Sequence, residues 1–133
     1  MYRAYLDASG THAGSPLVCL AGYVGTQGQW AKFKTRWNRV LAKSGVDRPF
    51  HMTDFMSGKA RPYRDWSPGK REAVLEALVD TITGTMTVPI VSLLSRPDYE
   101  KLAANLAEHS RTPHPNTEYM LCAIGCMARV APC

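Results

Sequence analysis

The chain has 133 residues, 45% of them hydrophobic and 20% charged, with 16 Lys and Arg against 11 Asp and Glu. That length suits a single α/β domain over 1–133 with a real core, and the composition excludes a disordered chain. No apolar run approaches the roughly 18 residues of a membrane span, and an Asp inside the opening strand pattern excludes a secretory signal. The expected location is therefore cytoplasmic, with no membrane partner.

Residues 2–8 alternate loosely and predict a first strand, closed by Ser9-Gly10-Thr11. Residues 17–26 form a nearly continuous apolar run, which predicts a second strand buried on both faces. The short polar link between them favours an antiparallel pair. From 29 to 43 the period becomes helical. Trp30, Phe33, Trp37, Val40 and Leu41 form one stripe, with Lys32, Lys34, Arg36, Arg39 and Lys43 opposite and Gly45 as the stop. Phe50-His51-Met52-Thr53-Asp54-Phe55 reads as a short extended stretch.

Ser67-Pro68 opens a helix whose stripe is Val74, Leu75, Leu78, Val79 and Ile82, ending at Gly84. Residues 86–94 predict a third strand in which Pro89 demands an edge, a bulge or a strand end. Pro97 opens a helix with Tyr99, Leu102, Ala103 and Leu106 as its buried face. A break at 111–116 precedes a last helix over 117–130.

Asp7 is the first candidate for chemistry. A carboxylate on a buried strand is costly unless a cation meets it, and a divalent metal is a common solution. The alternative is an Asp that caps the following turn. His51 and Asp54, spaced His-x-x-Asp, can act as metal ligand and partner or as base and orienter, or stand as incidental polar residues of a surface loop.

Net charge is +5. The surplus gathers on the 29–43 helix and around residues 48–71, where Lys59, Arg61 and Arg64, with Lys32 and Arg36, are candidates for a phosphate backbone. A solvated basic surface is the plain alternative. Cys19, Cys122, Cys126 and Cys133 form no Cys-x-x-Cys pair and read as reduced, small apolar side chains.

The order strand-Asp-x-Ser-Gly, apolar strand, Trp30-x-x-Phe33-x-x-x-Trp37 and Phe50-His51-Met52-x-Asp54-Phe55 resembles the domain-of-unknown-function-3800 family. Tyr119-Met-Leu-Cys122 with Cys126 resembles a subset of the same bacterial and phage proteins. The resemblance implies a ribonuclease H-like mixed sheet with flanking helices, and a Mg²⁺- or Mn²⁺-dependent phosphodiesterase site. Asp7 and Asp54 would be metal ligands, with His51 beside them, and a mobile-element setting is implied. Ala8 stands where the family pattern has Glu. The later acidic motifs have no counterpart before Cys133, so the expected domain lacks the C-terminal strand and helix.

Three functions are consistent with these residues. One is a metal-dependent nuclease of ribonuclease H-like type, or a degenerate relic of one. Another is a non-catalytic module that binds nucleic acid or protein. The third is a structural subunit that completes its fold by oligomerisation. The last helix has no charge between Glu118 and Arg129. A helix apolar all round must be covered, which predicts a homo-oligomer or protein partner through Tyr119, Met120, Ile124 and Met127.

Overall fold

A computed structural model describes the chain except Ala13, Thr87 and residues 108–116 and 129–133. Its elements are β1 (Tyr2–Ser9), β2 (Leu17–Thr26), α1 (Gln27–Ser44), α2 (Met52–Ser57), α3 (Pro68–Thr83), β3 (Val88–Ser95), α4 (Arg96–Ala107) and α5 (Thr117–Ala128). A 3-10 turn at Tyr63–Asp65 lies between α2 and α3. The architecture is mixed α/β. The chain divides into two compact units, a helical one (Met1–Tyr2 with Gly25–Thr87) and a sheet one (Arg3–Val24 with Val88–Cys133).

In the sheet unit the strand order among the described residues is β1-β2-β3, with β1 and β3 as its edges. Strands β2 and β3 pair antiparallel, from Leu17 opposite Ser95 to Val24 opposite Val88. The sheet is antiparallel where a mixed sheet was expected, so the ribonuclease H-like assignment rests on the sequence resemblance alone. Pro89 does fall on an edge strand, opposite Tyr23. There a residue without an N–H is tolerated.

The expected double burial of β2 holds on one face only. Val18, Leu20 and Val24 are buried, and Cys19, Ala21 and Tyr23 between them are half-buried. The buried face meets Ile90 and the paired thiols of α5, Cys122 and Cys126. Their Sγ atoms lie 3.7 Å from the Val18 and Leu20 carbonyl oxygens, the contact of a weak thiol donor inside a core. One turn of helix thus spaces two small side chains to match two same-face residues of β2.

The rest of α5 is not covered all round. Met120, Ile124 and Met127 are 54%, 52% and 61% exposed, and Tyr119 is 43% exposed. Strand β1 is exposed along nearly its whole length, with Ala8 alone reaching the core.

The helical unit has its own core. Thr26 caps α1 through a reciprocal box with Gln29, and Gly45 ends it in the left-handed conformation. The expected stripe faces inward, with Trp37, Val40 and Leu41 against Phe55, Tyr63, Trp66, Val74 and Leu78. In α3, Ser67 caps the start as the sequence suggests. Val79 lies 48% exposed, and Thr81 takes the inner position by donating its hydroxyl to the Ala77 carbonyl.

Residues 52–55 are helical where an extended stretch was expected. His51 keeps an extended backbone as the N-cap of α2, and Gly58 closes that helix at φ 62°. One helical turn lets Phe55 sink among Phe50, Tyr63 and Trp66, at ring-centroid distances of 5.4–6.4 Å. Burying that ring outweighs the extended preference of the preceding residues. The side chains of Leu102, Ala103 and Leu106, the break at 111–116 and Cys133 lie outside the described residues.

Candidate metal and nucleic-acid site

Asp7 sits on β1, and its side chain is exposed. Burial therefore does not force a cation on it, because an exposed carboxylate is already solvated. Its Oδ1 accepts the Ala8 backbone N–H at 2.9 Å, a local contact of the turn-capping kind.

His51 and Asp54 stand at the two ends of the first turn of α2. His51 is exposed and makes no capping bond through its side chain, while its carbonyl accepts the Phe55 N–H at 3.0 Å. Asp54 is half-buried near the helix start, where the dipole favours a negative charge. Asp7 belongs to the sheet unit, and His51 and Asp54 belong to the helical unit. Among the described residues no group of three or more His, Cys, Asp and Glu is arranged to hold a metal ion. The donor set Asp7, His51 and Asp54 is thus short of a two-metal cage.

The basic residues separate into two kinds. Lys32 and Arg36 project from the exposed face of α1, and Lys59 and Arg61 are exposed in the loop after α2. Others are tied into the fold. Arg71 donates to the Phe55 carbonyl at 2.7 Å and the Tyr63 carbonyl at 2.6 Å, clamping α2 and the 3-10 turn onto α3. Gly58 borders this clamp, where an added Cβ would run into the Arg71 guanidinium. Arg64 Nε donates to the Lys59 carbonyl at 3.1 Å, and Arg48 donates to the Arg61 carbonyl. The Lys70 ammonium lies 4.4 Å from the Trp66 ring centroid.

Between the C-terminal half of α1 and residues 46–50 lies an open cleft of about 600 Å³. Trp37, Leu41, Val46, Asp47, Arg48 and Phe50 line it. Tyr63, whose ring centroid lies 6.2 Å from that of Phe50, is wholly buried, and its hydroxyl finds no hydrogen-bond partner among the described residues. Burial raises its pKa above the ordinary 10.0, the Arg48 charge opposes that shift, and Asp54 adds to it.

Sequence reasoning missed Arg71 and Arg96 as organising residues. An Arg in a first helical turn looks like solvated charge, and no spacing rule reveals which carbonyls it will find. The interface candidates Tyr119, Met120, Ile124 and Met127 are all exposed on α5. No protein-family model matches the chain, and no curated protein or solved structure matches it.

Proposed function

We propose that this chain is a nucleic-acid-binding protein of ribonuclease H-like descent, either a metal-dependent nuclease or a relic of one. The observation that carries the binding half is the exposed basic surface of one unit, Lys32 and Arg36 on α1 with Lys59 and Arg61 in the following loop. Four such charges suit a phosphate backbone, with no base-reading module to confer sequence preference. The nuclease half rests on the sequence resemblance and on Asp7, His51 and Asp54. If a Mg²⁺ or Mn²⁺ ion binds, these residues are its ligands and partner, and it would supply activation of water. With two carboxylates assigned, the donor set is too sparse to support a derived sequence of steps.

Binding is tested with a labelled generic oligonucleotide across a salt series. Affinity should fall steeply as salt rises, and no binding at low salt would overturn this reading. Mn²⁺ titrated into wild type, Asp7→Asn and Asp54→Asn, read by paramagnetic broadening, tests the metal. Equal weak binding by all three proteins would leave the non-catalytic binding module. The exposed apolar stripe of α5 favours a second role as well, a protein contact through Met120, Ile124 and Met127. Light scattering of wild type and Ile124→Glu tests that contact.

A further inference from the structure

Gly45 ends α1 in the left-handed conformation, and the Val46 N–H then reaches back to the Leu41 carbonyl at 2.9 Å. That reversal lays residues 46–50 beside the helix they have just left. Phe50 meets Trp37 edge to face, with ring centroids 5.9 Å apart, and buried Val46 ties the turn to the core. The cleft of about 600 Å³ lies between these two walls, wholly inside the helical unit. Its size falls within the roughly 300–1,000 Å³ of small-ligand sites.

The lining is of two kinds. Trp37 and Phe50 are half-buried, so each ring keeps part of its surface open at the cleft. Asn38, Asp47 and Arg48 bring an amide, a carboxylate and a guanidinium to the same space. Neither Asn38 nor Asp47 makes a side-chain hydrogen bond or ion pair among the described residues. The Arg48 guanidinium donates to the Arg61 carbonyl, which leaves other N–H groups of its fork for an acceptor.

An aromatic wall suits a flat ring, a carboxylate suits N–H or O–H donors, and a guanidinium suits an anion. A nucleotide carries all three. Its base supplies the ring and N–H groups, its sugar supplies hydroxyls, and its phosphate matches the guanidinium. An aliphatic or purely apolar ligand leaves Asp47 and Arg48 unmatched.

The surroundings continue the same chemistry. The bond from Arg48 to Arg61 joins the rim of the cleft to the exposed loop of Lys59 and Arg61. Lys34, also exposed, lies one turn before Asn38 on the same face of α1. Cations therefore stand on both sides of the cleft, where a strand entering and leaving it would carry its phosphates. A base paired in a duplex stays in its stack, so only an unpaired base can enter such a cleft. We infer that the cleft takes an unpaired nucleobase against Trp37 and Phe50, with its phosphate at Arg48 and its donor groups at Asp47. This rests on the nucleic-acid-binding reading and adds the substrate class to it, a single strand. Stacking of this kind is tolerant of sequence, so no base preference follows.

The test uses the full chain and a labelled oligodeoxyadenylate, free or annealed to oligodeoxythymidylate, at one salt concentration. The single strand should bind at least about fivefold more tightly than the duplex and quench part of the tryptophan fluorescence. Trp37→Leu should abolish the preference and that part of the quench, and Trp37→Tyr should keep the preference. Trp37 also packs against the core, so a second variant is needed. Ala42 is exposed on the cleft wall, and Ala42→Gln extends a side chain into the cleft with no change of charge. It should weaken single-strand binding at least about fivefold and leave duplex affinity and melting temperature unchanged. Adenosine monophosphate, titrated alone, separates the strand from a free nucleotide, and it should quench only at much higher concentration than the oligonucleotide. Equal affinity for both strand forms, unmoved by Trp37→Leu and Ala42→Gln, overturns the cleft inference and leaves electrostatic binding in place. A quench by adenosine monophosphate without binding of either oligonucleotide supports a nucleotide cleft and overturns the nucleic-acid reading. No response to any of the three overturns both.

Discussion

Arg96 and Glu118 meet at 3.1 Å, joining the start of α4 to the first turn of α5. The same guanidinium donates to the Ser15 carbonyl at 2.9 Å and to the Gly10 carbonyl at 3.2 Å. The Arg96 backbone N–H adds a bond to the Pro16 carbonyl at 2.9 Å. One side chain thus holds the β1–β2 connection, the end of β3 and α5 together. Gly10 is needed beside it: its φ is +72°, and a Cβ there would strike the Leu17 carbonyl.

Both side chains of that pair are only about one-fifth exposed, at 21% and 23%. Removing Arg96 therefore leaves a carboxylate and two carbonyls short of partners. Arg96→Ala should cost about 2–3 kcal/mol in urea denaturation, and Glu118→Gln about 1 kcal/mol. Arg96→Lys should recover little of this, because one ammonium lacks the fork that reaches three acceptors.

Tyr63→Phe should stabilise the protein. The hydroxyl is buried without a partner among the described residues, so its desolvation is uncompensated. Removing it should gain about 1 kcal/mol at neutral pH. The pH dependence has a definite sign. The folded-state pKa lies above the ordinary 10.0, so the stabilising contribution is complete below that value and is lost as pH rises through the folded-state value. Melting curves of wild type should fall away above about pH 10, and Tyr63→Phe should shed this part of the fall.

Gly58→Ala tests the clamp at the end of α2. The positive φ and the adjacent Arg71 guanidinium both penalise a side chain there, and the expected loss is about 1–2 kcal/mol. Arg71→Ala should cost about 2 kcal/mol by orphaning the Phe55 and Tyr63 carbonyls. The two losses should not add, since both variants disturb the same contact.

Lys32→Gln combined with Lys59→Gln should weaken oligonucleotide binding and flatten its salt dependence by about two charges. Both residues are exposed, so stability should stay within about 0.5 kcal/mol of wild type. A loss of affinity with an unchanged salt slope would place the contact elsewhere.

The sequence by itself determined the elements whose signals are local. Ser67-Pro68 begins α3, Gly45 ends α1, and Pro89 marks an edge strand. Each depends on backbone geometry within a few residues, which side-chain chemistry dictates directly. The apolar stripe of α1 was legible for the same reason: a helical period needs no knowledge of what it meets.

Only the tertiary structure decided burial and partnership. Asp7 looked like a buried carboxylate because its strand is apolar, yet the fold leaves its side chain exposed. Phe50–Phe55 looked extended, yet a ring cluster formed by Tyr63 and Trp66 drew Phe55 into a helical turn. The last helix looked apolar all round, yet its thiols face β2 and its methionines face solvent. Arg71 and Arg96 looked like solvated charges until distant carbonyls came within reach. For α5 and Arg96 the deciding contacts join residues 81 to 106 positions apart, and a one-dimensional pattern carries no record of which strand neighbours which.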